Sequence, residues 1–131
     1  LDSDTFKVAL YNNSITPDND VATDALTSYN GAASQWVTTN EVSEAVQWPS
    51  GGQTLASPTI NTGTADVVFW DATDTASGSA ATLASVFGCL VYDTTITSRG
   101  ICYNYFGGTN SVTNGTLTVV WHADGIWRAT L

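Results

Sequence analysis

Residues 86–106 read VFGCLVYDTTITSRGICYNYF, two mostly apolar runs separated by a short polar segment. Runs rich in β-branched and aromatic residues are typical of β-strands. Because only a short polar loop joins them, VFGCLVYD and RGICYNYF should pair antiparallel as a hairpin. The stretch therefore predicts an antiparallel β-fold.

This hairpin also sets the relation between the two cysteines of the chain. If Leu90 faces Ile101, then Cys89 lies opposite Cys102. Opposed cysteines form a disulfide only where the pair geometry suits it, and two buried thiols are the alternative. Two cysteines alone make neither a zinc site nor a disulfide framework, so both interpretations stay open.

Further strand signals recur at short spacing, separated by Gly, Asn, Asp, Ser and Thr clusters. The pattern predicts a single all-β domain over residues 1–131, with little or no helix. We expect an antiparallel β-sandwich of jelly-roll or immunoglobulin-like type. The predicted strands are 5–11 (Phe6, Val8 and Leu10 on one face, Lys7, Ala9 and Tyr11 on the other), 35–42, 53–60, 65–70, 82–92, 99–106, 116–121 and 126–131.

Two short stretches need separate interpretation. Asn114-Gly115 separates SVT from TLTVVW, and Asn-Gly supplies the positive φ values of a two-residue hairpin turn, so we expect a hairpin there. Residues 80–87, AATLASVF, have some helical propensity, but the stretch is short and contains Thr, Val and Phe. We therefore predict a strand for residues 80–87.

The charge balance excludes some classes of partner. The chain carries three Lys or Arg and twelve Asp or Glu, a formal net charge of −9. Nucleic-acid binding draws on cations that displace counterions from phosphates, so neither nucleic acid nor an anionic membrane surface is an expected partner. The acidity favours solubility or attraction to a basic partner.

The side chains that could carry metal or acid–base chemistry do not form a recognised site. His122 is the only histidine, and its neighbour Asp124 gives at most two ligands where catalytic zinc needs three. Glu41 and Glu44 lie three residues apart, which is a poor arrangement for the two carboxylates of a glycosidase. We therefore predict no catalytic residue, no metal site and no cofactor.

Aspartate-rich loops give a weaker hint of a cation. The loop that contains Asp18, Asp20 and Asp24 departs from the EF-hand pattern, since it lacks the central glycine and the final glutamate. Asp71 and Asp74 form a similar loose pair. Such loops usually bond to their own backbone as turns, and we expect turns here.

Five tryptophans are many for 131 residues. Large aromatic side chains fill cores, anchor protein partners or stack on sugars. The candidates for contact with a partner or a glycan are Trp36, Trp48 and Trp127.

The chain resembles a family of small structural proteins from tailed-bacteriophage virions. Members have an opening strand of the type IKVALY, then TNEVSGxGYxxGGxxL, a GxLIYD strand, a DFGG turn and a TNGTFTVxW segment. The corresponding stretches of this chain are FKVALYNNSITPDND (6–20), TNEVSEAVQWPSGGQTL (39–55), GCLVYD (88–93), YFGGTNSVTNGTLTVVW (105–121) and ADGIWRATL (123–131). The chain departs from the family pattern at Glu44, Trp48 and Tyr105, where the family has Gly, Tyr and Asp.

The resemblance implies a non-enzymatic structural protein of the virion, assembled in the bacterial cytoplasm. We expect a capsid decoration (cement) protein that binds the major capsid protein or another virion protein, as a homo-oligomer. A reducing cytosol favours free thiols for Cys89 and Cys102. The alternatives are a tail or fibre component that binds host glycan and a secreted carbohydrate-binding module. No site residues carry over, because the family pattern defines strands and turns.

Overall fold

A computed structural model describes residues 3–17, 27–62 and 66–130. The chain is almost all β, an antiparallel β-sandwich, as the sequence predicts. Its ten strands are β1 (Phe6–Tyr11), β2 (Glu41–Val42), β3 (Gln53–Thr54), β4 (Thr59–Asn61), β5 (Val67–Asp71), β6 (Thr75–Ala76), β7 (Ala81–Asp93), β8 (Arg99–Gly115), β9 (Thr118–Val119) and β10 (Trp127–Thr130).

The largest sheet has the order β2-β1-β7-β8, and β3 also pairs with β1. β1 is buried on both faces because it lies between other strands and under both core layers. Its two side-chain sets divide as predicted: Phe6, Val8 and Leu10 enter the main core, while Ala9 and Tyr11 enter a second, smaller core. Residues 88–93 of β7 are likewise buried on both faces, which explains their nearly continuous apolar sequence.

Two smaller sheets complete the sandwich, one with the order β10-β5-β4 and one that pairs β6 with β9. The main core joins them to the large sheet. Phe6 of β1 meets Trp70 of β5 edge to face, with ring centroids 4.8 Å apart. Edge-to-face contact is one of the two arrangements that aromatic pairs favour.

The predicted hairpin of β7 and β8 is confirmed, but its expected register is wrong by two residues. Leu90 lies opposite Tyr103, so Cys89 lies opposite Asn104 and Cys102 opposite Val91. The loop turns tightly enough for the Arg99 N–H to donate to the Ile96 carbonyl at 3.0 Å, and a bulge follows at Val91 and Tyr92. Bulges change the pairing locally, and composition does not reveal them.

The hairpin expected at Asn114-Gly115 does not form. Asn114 has the expected positive φ of 48°, but Gly115 remains in β8 opposite Ala81. Beyond it, Val119 pairs with Thr75 of β6 and not with β8. The Ser77 N–H donates to the Leu117 carbonyl at 2.9 Å. β9 therefore pairs with the distant strand β6, and not with β8 as the local turn signal predicted.

Other predicted strands are shorter than expected or divided. Of 35–42 only β2 is a strand, since the Asn40 N–H closes a turn on the Val37 carbonyl. The stretch 53–60 divides into β3 and β4 around Ser57, which has φ of 52°. Residues 81–87 are strand, as predicted. β6 was not predicted, because two residues give no periodicity to detect.

Candidate functional site

The turn after β2 contains Trp48, one of the three candidate contact residues, and Trp48 holds the turn in place. The N–H groups of Glu44 and Trp48 donate to each other's carbonyls at 2.8 and 3.1 Å. The Trp48 side chain is 0% exposed, and its Nε1–H donates to the Val8 carbonyl at 3.2 Å. Trp48 is therefore a core residue that fixes the turn to β1.

Trp36 also lies inside the protein, 3% exposed, with its ring edge to face with Tyr11 at 5.2 Å. Both buried tryptophans are thus removed as contact residues for a partner or a glycan, because their rings do not reach the surface. Trp127 is different, since it is 48% exposed on β10 beside Trp70. Of the three candidates, only Trp127 has a ring that reaches the surface.

Glu41 is the most heavily bonded carboxylate in the part of the chain that the structure describes. It accepts hydrogen bonds from the Tyr29 hydroxyl at 2.9 Å, the Ser50 hydroxyl at 2.9 Å and the Gly51 N–H at 2.7 Å. These bonds hold the PSGG turn against β2. Hydrogen bonds to a carboxylate are stronger than those between two neutral groups, so Glu41 stabilises the turn.

The turn itself needs glycine. Gly51 and Gly52 have φ of 90° and 81°, values that other residues adopt only with strain. A Cβ on Gly52 would overlap the carbonyl of Val8. The glycine pair therefore lets β3 approach β1 directly.

Glu44 does not share the environment of Glu41. One of its oxygens, Oε2, is buried without a hydrogen-bond partner, while Glu41 is bonded through both oxygens. Glu41 and Glu44 therefore lie in different hydrogen-bonding environments, although only Val42 and Ser43 separate them in the sequence.

A tyrosine cluster surrounds Glu41. Tyr29 and Tyr92 stack with ring centroids 4.6 Å apart, and the Tyr92 hydroxyl donates to the Gly51 carbonyl at 2.7 Å. Burial, with the charge of Glu41 as a further cause, raises the pKa of Tyr11 and of Tyr92 above its usual value. Burial also raises the pKa of Tyr29. The hydroxyls of Tyr29 and Tyr92 act as structural donors, whereas the Tyr11 hydroxyl is buried without a hydrogen-bond partner among the described residues.

Cys89 and Cys102 are both free thiols. Burial raises the pKa of the Cys89 thiol, and the nearby Cys102 raises it further. Burial raises the pKa of Cys102 to about 11. The thiolate is the reactive form of cysteine, so neither group is poised for nucleophilic or redox chemistry.

His122 and Asp124 lie on an exposed turn. The Asp124 N–H donates to His122 Nδ1 at 3.1 Å, and Arg128 forms an ion pair with Asp124 at 2.9 Å. Asp71, the last residue of β5, accepts a bond from the adjacent Ala72 N–H, whereas Asp74 accepts one from the distant Trp121 N–H and not from its own turn. Across residues 3–17, 27–62 and 66–130, no three His, Cys, Asp or Glu side chains come together as metal ligands. Asp18, Asp20 and Asp24 lie outside the described residues.

The described part of the chain also forms surface grooves that the sequence did not predict. The β8–β9 groove has a volume of about 190 Å³ and is lined by Phe106, Asn110 and residues 117–120. The one feature of the sequence that indicates this groove is the pair Val119-Val120. Successive residues of a strand point to opposite faces, so one of the two valines must face outward. Val119 is buried, whereas Val120 is 69% exposed.

The second, the tyrosine groove, has a volume of about 470 Å³ and lies over the smaller core. Tyr105 is 63% exposed at its rim, and the Tyr103 ring rests beside Gly88 and packs on Trp36 at 5.2 Å. Amide side chains supply its polar groups. The lining residues are Asn12, Asn13, Ile15, Pro17, Phe87, Tyr103 and Tyr105.

Among the described residues, no helix has the length and apolar character needed to cross a membrane. In comparisons with known proteins, no family model, no curated protein and no solved structure matches the chain.

Proposed function

We propose that the protein is a non-enzymatic structural component of a tailed-bacteriophage virion, most specifically a decoration protein on the outer surface of the capsid. The observation that carries the proposal is the role of the stretches that resemble the virion family. FKVALY forms β1, at the centre of the large sheet, and GCLVYD forms the doubly buried end of β7. The stretches that resemble the family therefore form the buried central strands of this fold.

The stretch 39–55, which also resembles the family, supports the same interpretation. Glu41 holds its turn through three hydrogen bonds, and Gly52 lets the turn close on β1. Glu41, a residue capable of acid–base chemistry, is engaged in holding the backbone. This arrangement favours a protein whose task is to keep a rigid shape.

The surface suits docking on a larger assembly. A net charge of −9 is attracted to a basic surface, and the major capsid protein or another virion protein is the proposed partner. Apolar side chains exposed at separate places, among them Trp127 and Val120, give candidate contacts. Repetition of weak contacts over many identical capsid sites, or through a homo-oligomer, would raise the overall affinity.

Electron microscopy of purified virions, with an antibody fragment against this chain as the label, tests the location. We expect label distributed over the outer surface of the head. Label confined to the tail or its fibres would contradict the decoration role, and unlabelled particles would contradict any place in the virion.

A second candidate function, a tail or fibre component that binds host glycan, is favoured by the tyrosine groove alone. Tyr105 offers an exposed ring and Asn13 an exposed amide, the combination that stacks on a sugar and bonds its hydroxyls. The test is a glycan array with the Tyr105→Ala variant and Trp127→Ala as the matched control. Glycan binding that only Tyr105→Ala removes would favour this candidate, and the absence of any glycan binding would reject it.

A further inference from the structure

The β8–β9 groove lies where the expected hairpin of residues 111–121 opens. β8 leaves the turn paired with β7, while β9 leaves it paired with β6. The two strands therefore diverge, and the groove of about 190 Å³ occupies the space between them.

The β9 wall of the groove has backbone groups that point away from β6. Leu117 bonds to Ser77 through both its N–H and its carbonyl, and the Trp121 N–H donates to Asp74 on the same side. Successive residues of a strand direct their backbone groups to opposite edges. The N–H and C=O groups of Thr118 and Val120 are therefore directed to the edge that faces away from β6.

The opposite wall is the outer edge of β8. β8 pairs with β7 alone among the strands and is the last strand of its sheet. Within the described ranges, no backbone hydrogen bond from Ile101–Gly115 reaches a segment other than β7. Edges of this length are normally protected by charged residues, proline or β-bulges. Residues 100–121 contain no charge and no proline, and the pairing of β8 with β7 shifts register between Leu83 and Gly88, opposite Val112 and Tyr105.

The floor of the groove is apolar. Phe106 and Leu117 are partly buried and pack against the main core, and Val120 projects from the β9 side, 69% exposed. The groove thus combines an apolar floor with two strand edges that lack backbone partners. An extended segment, with side chains alternating between floor and solvent, satisfies both features.

We infer that the β8–β9 groove binds an extended, uncharged segment of a different protein by β-strand addition, with apolar side chains at alternate positions. The charges decide the source of the segment. At this groove a second copy of this chain, with the same net charge of −9, is disfavoured, because the groove walls carry no positive charge that would offset the repulsion. A homo-oligomer would therefore form through another face. The inference rests on the groove and not on the virion role.

The test uses acetylated, amidated hexapeptides in which threonine alternates with valine, isoleucine, leucine or phenylalanine, added to the whole protein. Amide exchange at Val120 and Thr118 is followed by NMR. For peptides that bind, exchange at these amides should slow about tenfold once the peptide concentration reaches about ten times Kd. The same peptides N-methylated at alternate residues should not slow it, because they cannot complete the backbone bonds.

The Val120→Lys variant should abolish the protection, since it places a charge on the groove wall. Val46→Lys is the matched control, because Val46 is 77% exposed on the turn before Trp48. Equal protection by the N-methylated peptides, no protection by any peptide, or equal binding by both variants would each overturn the inference. A dimer of the protein itself that Val120→Lys dissociates would overturn the assignment to a different protein.

Discussion

The hydroxyl of Tyr29 donates a hydrogen bond to Glu41 Oε2 at 2.9 Å, which ties the segment after residue 27 to the strand β2. Glu41 also bonds Ser50 and the Gly51 N–H, so one carboxylate joins three parts of the chain. The stretch 39–55 thus connects separate parts of the chain, and its contribution to stability can be measured.

Removal of the Glu41 carboxylate should destabilise the fold. Glu41→Ala leaves the Gly51 N–H and two hydroxyls without their acceptor, and an unsatisfied part-buried donor costs about 1–3 kcal/mol. Urea unfolding of the variant measures the loss. The matched control is Glu44→Gln, which should be neutral or slightly stabilising, since Glu44 Oε2 has no partner to lose. Equal losses in the two variants would contradict the role of Glu41.

The tryptophans should separate by their position. Trp48→Ala removes a fully buried ring and its bond to Val8, and substitutions of this kind cost about 3–5 kcal/mol. Trp127→Ala, at a half-exposed ring, should cost about 1 kcal/mol or less. Thermal or urea unfolding of both variants gives the comparison. A Trp48→Ala protein as stable as the parent would show that the ring is not in the core.

The thiols should be present and slow to react. Mass spectrometry after alkylation in denaturant should count two free thiols. In the native protein, reaction of Cys102 with a disulfide reagent should keep rising with pH toward its pKa of about 11, since only the thiolate reacts. A plateau near pH 9, or a protein without free thiols, would contradict the structure.

Stability should fall at alkaline pH. The pKa values of Cys102 and Tyr103 are raised by burial to about 11 and about 12, from ordinary values of 9.0 and 10.0. Between the ordinary and the raised pKa, the unfolded chain has released a proton that the folded chain still holds, so rising pH favours unfolding. The contribution of these groups is complete below about pH 9 and is lost above it.

Urea midpoints measured in steps from pH 8 to pH 11 test this dependence. We expect the contribution of Cys102 and Tyr103 to the urea midpoint to be constant near pH 8 and to decline above about pH 9. Part of the tyrosinate absorbance of the native protein should appear at higher pH than in urea. A midpoint that is unchanged up to pH 11 would mean that these side chains are not buried.

The sequence predicted the fold class and the central strands because their signal is local. Phe6, Val8 and Leu10 alternate with the rest of β1, and the run 88–93 is apolar throughout. Register and partner choice depend on distant residues. Nothing near Asn114 reveals that Ser77 will bond Leu117, and nothing near Cys89 reveals a bulge at Val91.

The candidate contact residues were harder to predict than the fold. Trp36, Trp48 and Trp127 are the same residue type, and cores and interfaces both use tryptophan. Only the packing separates them, with Trp48 under β1 and Trp127 at the outer end of a small sheet. The β8–β9 groove exists because a predicted hairpin fails to form, so a local pattern could not reveal it.

If the protein decorates the capsid, the number of its copies in purified virions is set by the number of copies of the major capsid protein. Quantitative mass spectrometry with isotope-labelled peptides of both proteins gives the ratio. For a decoration protein we expect a fixed ratio, of the same order as one chain per repeated capsid site and constant between preparations. A few copies per particle, or none, would contradict it.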